Sequence, residues 1–469
     1  MNTPATVHLA PHALMLRPRL LGLALACLSA TGCGFIDWLG GRKLSPDYCE
    51  KHTDDKNCRD DFPDADTRCM SNASCMAPTG VCDLASTRMC VQCIAPDQTT
   101  ACDGVTPTCG ADHACHACSK HEDCPLSSAC LPDGSCAATA QVAYVDPIQG
   151  SGTACTLSTP CKKVADALGA NRPYVKLTGT IDEPVQINNQ NVTILAAAGT
   201  QLTRTSPGVI LKVDGTSMVQ IFDLAIANGL GGTGIGISLP AGNSASLALR
   251  RVSVTGNTGG GLTANGGTLN IVQSTFSGNT GGGIAVVGGS LTLSRSTISG
   301  PADSGISVSG AQFDITNTII AGNGGPATAV GGVHLDQINT GTRRFEFNTV
   351  TNNNGMDGAA VGVVCTLVGQ PVTFADNIVY ANQEGGTRTQ VGGANCNWTH
   401  SDIGPVAVTG TGNISMDPRF VNPAQSNYHL QAGSPAIDKA DPASTMDVDI
   451  DGDVRPQGSG RDMGADEVK

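Results

Sequence analysis

A 22-residue repeat decides how this chain folds. It is clearest in three segments: TLNIVQSTFSGN at residues 268–279, SLTLSRSTISGP at 290–301 and QFDITNTIIAGN at 312–323. Leu269 and Leu291 occupy the same place in the first two segments, and apolar residues alternate with polar ones around both. Alternation with a period of two is typical of strands that bury one face. The repeat therefore predicts a set of short strands in each unit.

The same pattern continues on the N-terminal side of these segments. Apolar pairs at 247–249, 219–221 and 192–194 precede them at steps of 22, 28 and 27 residues. The alternation excludes helical solenoids, and the helix-forming half of a leucine-rich repeat is missing. A unit of this length fits one coil of a parallel β-helix, in which coils stack at roughly 4.8 Å. We therefore predict an all-β solenoid with one continuous apolar core.

Two other features of the repeat predict bends and loops. Asn257, Asn279 and Asn323 form a row that fits a tight bend, because Asn tolerates left-handed φ and stacked amides can hydrogen-bond along the row. The 28-residue coil carries six extra residues within 229–240. Such a loop can carry a binding surface, or it can be a place where insertions are tolerated.

The start of the chain predicts export from the cell. Two arginines precede an apolar run at residues 20–28, which is too short to cross a bilayer easily, so residues 1–32 are predicted to be a signal peptide. The sequence ATGC at 30–33 resembles a bacterial lipobox, which implies that Cys33 carries the lipid and begins the mature protein. An ordinary cleaved signal is the alternative, and translation from Met15 would give a more compact signal.

The lipobox resemblance implies a membrane partner and a location in the cell envelope. The expected product is an outer-membrane lipoprotein, held through its N-terminal lipid, or alternatively a secreted protein. Residues 33–66 are rich in aspartate and are predicted to be a flexible acidic tether. The net charge of −13 and the lack of a Lys/Arg stripe exclude nucleic acid as a partner.

Cysteine usage also predicts an oxidising compartment. The short spacings within residues 67–137 leave no room for an apolar core, so this part is predicted to be a disulfide-rich module whose pairing cannot be deduced from the sequence. Zinc sites at the CVQC of 90–93 and the CHAC of 115–118 are the alternative. Farther on, Cys155 and Cys161 are predicted to close one loop, and Cys365 and Cys396 to pin the end of the solenoid. The cysteines of the module are Cys69, Cys75, Cys82, Cys90, Cys93, Cys102, Cys109, Cys115, Cys118, Cys124, Cys130 and Cys136.

Two resemblances complete the domain assignment. The repeats at 138–400 resemble the right-handed, single-stranded parallel β-helix repeat family, whose pectate-lyase-like solenoids imply the handedness. The motifs GNISMDPRF at 412–420 and DIDGDVRP at 449–456 resemble the C-terminal block of bacterial surface proteins called choice-of-anchor Q domains. Residues 401–469 are accordingly predicted to be a C-terminal cap. Its aromatic residues Phe420 and Tyr428, together with Trp398, are expected to close the open end of the core.

The sequence offers only one group of residues that could carry out catalysis on the solenoid. Proteins with this fold are often polysaccharide lyases, hydrolases or epimerases, but the catalytic motifs of those families are not found in residues 140–469. One group of charged residues could meet on a coil face and serve a lyase as base and charge neutraliser. Solvated surface charges are the alternative explanation. The members of the group are His334, Asp336, Arg343, Arg344 and Glu346.

An acidic run near the C-terminus suggests calcium. Asp447, Asp449, Asp451 and Asp453 match the first half of a calcium loop, but the position that should supply the last acid is Gly458. A simple Asp-Gly turn is the alternative, and no other cofactor is expected. We therefore predict a surface protein that binds a polysaccharide or an envelope or matrix protein without catalysis. A lyase-like enzyme with an unrecognised active site is the alternative function.

Overall fold

The structure of the chain is a computed structural model. It describes residues 69, 71–76, 79–85, 89–94, 102, 104–300, 303–336, 341–356, 360–382 and 390–469. The predicted signal peptide, the lipidation site Cys33 and the whole of the predicted tether therefore lie outside the described residues, and these assignments stay predictions. Within the described part, no helix is long and apolar enough to span a membrane.

Most strands belong to three parallel stacks, which we name A, B and C in the order in which each coil visits them. Stack A contains Val185–Asn188, Leu211–Asp214, the first parts of Ile237–Arg250 and Leu262–Val272, Ile284–Val287, Ile306–Ser309, Val333–Asp336, Val363–Thr366 and Val391–Ala394. Stack B contains Val142–Val145, Tyr174–Leu177, Asn191–Ala196, Met218–Phe222, the second parts of Ile237–Arg250 and Leu262–Val272, Ser290–Ser294, Gln312–Thr316, Arg343–Glu346, Val372–Ala375 and Cys396–Thr399. Stack C contains Thr180–Asp182, Gln201–Thr203, Ala225–Ala227, Ser253–Thr255, Thr275–Ser277, Thr297–Ser299, Ile319–Ala321, Thr349–Thr351, Ile378–Tyr380 and Asp402–Gly404. Each coil therefore adds one strand to each stack over most of the solenoid.

Elements outside the stacks are short. The single described α-helix is Val164–Gly169, and 3-10 turns occupy Asn72–Ser74, His121–Asp123, Thr139–Gln141 and Pro423–Gln425. The remaining strands are Val81–Cys82, Cys90–Val91, Thr108–Cys109, Cys115–His116, Phe420–Asn422 and Asn427–Leu430.

The register of the coils follows the sequence repeat. Leu269 pairs with Leu291, and Leu291 pairs with Phe313, in stack B. All three side chains are 1% exposed and belong to one core that runs through the solenoid. The predicted stacking of like residues is therefore confirmed.

The asparagines of the row stand at bends of the solenoid, and their side chains are buried inside it. The Asn257 amide donates to Oδ1 of Asn279 at 2.9 Å, and Asn279 donates to the Val254 carbonyl at 2.8 Å. The row has Pro301 in the next coil, and the same kind of bond then joins Asn323 to Asn353 and Asn353 to Asn382. These buried amides satisfy backbone groups of the neighbouring coils, as buried polar groups require.

The predicted left-handed conformation of these asparagines is wrong by one position. The residues with positive φ are the preceding ones, Gly256 at 64°, Gly278 at 61° and Gly322 at 68°. Glycine adopts this region without a Cβ clash, which leaves the asparagine side chain free to turn inward. The hydrogen-bonded amide row itself is as expected.

The C-terminal end of the core is only partly closed as predicted. Trp398 is 6% exposed and packs edge-on against Phe374 at 5.3 Å between ring centroids. Phe420 and Tyr428 do not close the end of the core, because they pack on the outer face of stack C with Ile319 and Ile378. The last strands of stack C carry apolar residues on both faces, so their outer face needs a cover, and the tail supplies it.

The described residues divide into two compact units. The first holds the described residues up to 102 and 109–116, and the second holds 103–108 and 117–469. In the second unit, Ala129 and Ala137 pack with Tyr144, Leu195 and Phe222, which lie on the outer face of stack B. The second half of the cysteine-rich region therefore packs on the solenoid.

Disulfides occupy the described cysteines. The predicted disulfide-rich character of Cys69–Cys136 is confirmed, and the zinc alternative is wrong, because each cysteine proposed as a ligand forms a disulfide with a cysteine outside its own CxxC motif. The first unit holds the bonds Cys69–Cys82, Cys75–Cys90, Cys93–Cys109 and Cys102–Cys115. The second unit holds Cys118–Cys130, Cys124–Cys136, Cys155–Cys161 and Cys365–Cys396.

Candidate functional site

The C-terminal tail forms one wall of a groove on the solenoid. Residues 441–450 run along the bends between stacks B and C, from His400, which lies 3.5 Å from Asp441, to Arg295, which donates to the Ile450 carbonyl at 3.2 Å. The open volume between tail and coils is about 550 Å³, and we call it the tail groove. Its lining residues are Ser294, Arg295, Thr316, Asn317, Arg344, Glu346, Ala375, Asp376, Asp441, Ala443, Ser444, Thr445, Met446, Asp447 and Val448.

The bends between stacks B and C explain how these side chains reach the groove. Arg295, Asn317 and Asp376 stand at equivalent bends of different coils and have φ of 50°, 46° and 62°. Left-handed φ is unfavourable for residues with a Cβ, and glycine would adopt it at lower cost. A side chain at these bends is therefore retained at some conformational cost, and each of the three contacts the tail or lines the groove.

An ion pair fixes the floor of the tail groove. Arg344 donates through Nε and Nη2 to the two oxygens of Asp314 at 2.7 and 2.9 Å, across neighbouring coils. This hydrogen-bonded carboxylate raises the pKa of Arg344 further. Glu346 lies farther from the guanidinium, at 4.0 Å. Arg344 is thus held in one orientation by Asp314, and its charge is largely neutralised there.

Two carboxyl groups of the groove hold their protons unusually strongly. Burial raises the pKa of Asp376 to about 7, and the nearby Asp441 and Glu346 carboxylates add to the increase. Burial also raises the pKa of Glu346, against the opposing effect of Arg344. One oxygen of Asp376 accepts a hydrogen bond from the Asp441 backbone N–H at 2.6 Å. Near neutral pH the Asp376 carboxyl can therefore both donate and accept hydrogen bonds.

Asn317 supplies an acceptor that has no hydrogen-bond partner among the described residues. Its Nδ2 donates to the Val448 carbonyl at 2.9 Å, while its Oδ1 is buried without a hydrogen bond. An unsatisfied buried acceptor is costly unless water or a ligand donates to it. Hydroxyl groups of Ser444 and Thr445 stand on the opposite wall, and none of the described lining residues is aromatic.

The structure separates the charged residues that the sequence grouped together. Arg344 and Glu346 line the tail groove, whereas His334 and Asp336 lie on Val333–Asp336 of stack A and do not line it. Arg343 directs Nη1 toward the Val368 carbonyl at 3.4 Å. A catalytic role for any of these residues stays a prediction.

The structure also separates the residues of the acidic run at 447–453. Asp447 lines the tail groove, while Asp449, Asp451 and Asp453 bring oxygens within 4.8 Å of one another. Asp449 is fully buried, and its Oδ1 accepts from the backbone N–H groups of residues 451–453 at 2.8 to 2.9 Å. These bonds build the Asp-Gly turn, and a calcium site here stays a prediction.

Sequence reasoning missed Asn317, Asp376 and Asp441. A signal existed for Asp376, because Ala375-Asp376-Asn377 repeats the place of Glu346-Phe347-Asn348 one coil earlier. Nothing in the repeat pointed to Asp441, which reaches the groove from the tail.

A second cavity, of about 600 Å³, lies between residues 117–134 and the first coils. Its polar groups are largely paired within the protein. Arg251 and Asp223 form a two-point ion pair, and both ring nitrogens of His121 are engaged by the Cys130 N–H and the Ala196 carbonyl. The Lys176 amine nearby is buried without a hydrogen bond, but it does not line the cavity. The tail groove therefore offers more groups for recognition.

Comparison with known proteins identifies the fold. A family profile described as "Right handed beta helix region" matches residues 207–367 and 260–419. The crystal structure of pectate lyase Pel9A superimposes with a TM-score of 0.46 and 15% identity, over 70% of this chain and 96% of that chain. No curated protein matches the chain. The profile match and the three parallel stacks together make this chain an all-β, right-handed parallel β-helix of about nine turns that follows a disulfide-rich region.

Proposed function

We propose that this protein is a cell-surface β-helix, anchored by a lipid at Cys33, that binds a polysaccharide in the tail groove without cleaving it. The observation that carries the proposal is the polar lining of the groove, in which the Oδ1 of Asn317 has no partner among the described residues and burial raises the pKa of Asp376 to about 7. Sugar hydroxyls both donate and accept hydrogen bonds, so they complement both kinds of group.

The charges that line the tail groove narrow the class of polysaccharide that we expect it to bind. Four acidic residues line the groove, namely Glu346, Asp376, Asp441 and Asp447, against the two arginines. Arg344 is already paired with Asp314, so little positive charge is left for a polyanion. We therefore expect a neutral polysaccharide. Because stacking aromatics are missing from the described lining, each contact should be weak, and many anchored copies would bind a polymer through avidity.

A glycan array probed with the full chain, purified in detergent, tests the proposal. We expect binding to neutral polysaccharides, and we expect Glu346→Ala to weaken it at least about tenfold, since the variant removes one hydrogen-bonding carboxyl group from the groove. Asp336→Ala is the matched control, because it removes a strand-end carboxylate from stack A, away from the groove. Binding to none of the glycans, or equal loss in the two variants, would refute the proposed site.

Anchoring is tested separately in cells. Labelling with a fatty-acid analogue should tag the full chain and not a Cys33→Ser variant, and only the tagged form should sediment with membranes. Equal release of both forms would leave the secreted alternative.

One observation favours the enzymatic alternative. A general base works best when its pKa is near the working pH, and burial brings the pKa of Asp376 to about 7. Arg295 lies in the same groove and could face the carboxylate of a uronate. A panel of uronate polysaccharides, followed by the absorbance of unsaturated product, tests this. Turnover that Asp376→Asn abolishes would establish a lyase and overturn the non-catalytic proposal.

A further inference from the structure

Three side chains of the tail converge at a place that the tail groove does not include. His429 stands on the strand Asn427–Leu430, Asp451 follows the buried Asp449 in its turn, and Asp466 lies near the C-terminus. The Nε2 atom of His429 is 2.8 Å from Oδ2 of Asp451 and 4.0 Å from Oδ1 of Asp466. The three ligand-type atoms all lie within 4.8 Å of one another.

The hydrogen bond on the other ring nitrogen determines what Nε2 offers. Nδ1 of His429 lies 2.7 Å from Oδ1 of Asn427, and the same oxygen accepts from the His429 backbone N–H at 3.2 Å. An amide oxygen only accepts, so Nδ1 must carry the proton. In the neutral ring Nε2 then directs a lone pair toward two carboxylates. This arrangement is unfavourable unless a proton or a cation lies between them.

The side chain of Asp466 is fixed in its orientation toward His429, because burial leaves it no room to turn away. Its side chain is only 9% exposed, and Oδ2 accepts from the Leu430 backbone N–H at 2.6 Å. Oδ1 is left facing His429 with no hydrogen bond from the described residues. A buried carboxylate with one free oxygen, held by its other oxygen, has the form of a preorganised ligand.

The charge around the cluster is unbalanced. Six carboxylates occur within residues 449–467, against Arg455, Arg461 and Lys469 of the same segment and Arg295, which donates to the Ile450 carbonyl. Arg455 contacts Glu467 at 3.3 Å, and Lys469 contacts Asp453 at 2.9 Å, so acidic groups still outnumber these cations. A divalent cation at His429 would reduce this excess of negative charge. A cavity of about 320 Å³, lined by His429 and Asp451 among others, gives solvent and ions access to the cluster.

We propose that His429, Asp451 and Asp466 bind one divalent transition-metal ion of the zinc type, with water completing the shell. An imidazole ligand favours such an ion over calcium, which prefers oxygen. Tetrahedral zinc with ligand bonds of about 2.1 Å places its ligand atoms roughly 3.4 Å apart, within the range seen here. Asn427 and Asp449 are positioning residues: the first fixes the ring of His429, and the second builds the turn that presents Asp451.

Zinc titration of the full chain, purified without a histidine tag and stripped with a chelator, tests the site. Calorimetry should show one bound equivalent for the wild type, and His429→Gln and Asp451→Asn should each weaken binding at least tenfold. Both side chains are substantially exposed, so the variants should fold, and circular dichroism checks this. Asn427→Ala should weaken binding about 10- to 100-fold while changing the visible spectrum of bound Co²⁺, because the variant removes the side chain that orients the His429 ring.

His400→Gln is the matched control, because His400 faces only one carboxylate, that of Asp441. It should bind zinc as the wild type does. The proposal is overturned if the wild type takes up no zinc, if His429→Gln binds it equally well, or if calcium binds more tightly than zinc and independently of His429. In the first case the cluster is an ion pair with a protonated histidine.

Discussion

At the scale of single residues, buried carboxyl groups set the response of the fold to pH. Asp402 is fully buried, one of its oxygens accepts from the Met416 N–H at 3.0 Å, and the other has no hydrogen bond. Burial raises its pKa to about 7, and the charge of Asp417 adds to the increase. A carboxyl whose pKa is higher in the folded protein than in the unfolded chain destabilises the fold as it ionises. The stability that the protonated Asp402 carboxyl contributes to the fold is therefore lost as the pH rises from about 4 to about 7.

Asp402→Asn should consequently stabilise the protein at neutral and alkaline pH. The amide keeps an acceptor for the Met416 N–H and cannot ionise. Thermal unfolding should show a higher midpoint for the variant at about pH 8 and a small difference at about pH 4. The exposed Asp166→Asn is the control and should shift the midpoint little at either pH. A shift for Asp402→Asn that is independent of pH would contradict the assigned cause.

At the scale of the elements, the buried asparagine ladder joins neighbouring coils wherever two asparagines of the row are stacked. Asn279 accepts from the Asn257 backbone N–H at 3.0 Å and donates to the Val254 carbonyl at 2.8 Å. In Asn279→Ala both backbone groups lose their partner inside the core, at about 1–3 kcal/mol for each group. We expect the free energy of unfolding to fall by about 3 kcal/mol in denaturant titrations. Asn270→Ala, on the outer face of the same coil, is the control and should change it by less than about 0.5 kcal/mol.

The ladder also shows how far sequence reasoning reaches. The spacing of Asn257, Asn279 and Asn323 predicted their stacking, because a fixed period carries through the solenoid directly into space. The period did not predict which position takes the left-handed φ, since Asn and Gly both suit it and both stand at the bend. Gly256 takes it because the asparagine side chain is needed inside.

The charged residues around Arg344 do not all meet on one coil face, and the reason is a different one. His334 and Arg344 are ten residues apart, which suggested one face, but a corner of the coil lies between their strands and places them on stacks A and B. The tail groove could not be predicted at all, because Asp441 meets Asp376 from 65 residues away, outside the repeat. Periodic sequence predicts neighbours within the solenoid, and it carries no information on where an aperiodic tail returns.

At the scale of the whole molecule, the disulfide-rich first unit and the solenoid are stabilised in different ways. The disulfide-rich first unit has little apolar core, whereas the solenoid buries a continuous one. Reduction should therefore unfold the first unit and leave most of the β-helix intact. Limited proteolysis of the reduced chain should cut before about residue 117 and leave a resistant fragment that contains the coils. Loss of all β signal in circular dichroism on reduction would show that the solenoid depends on the bonds.

The tail that covers stack C should change the way in which the last coils unfold. Solenoids commonly fray from their ends, since each coil contacts only its neighbours. Here Ala465 donates to Thr349, Gly464 to Asp376 and Asn317 to Val448, so one segment of the tail is hydrogen-bonded to three consecutive coils. Those coils should open as a single cooperative block, and hydrogen exchange across them should occur at one common rate.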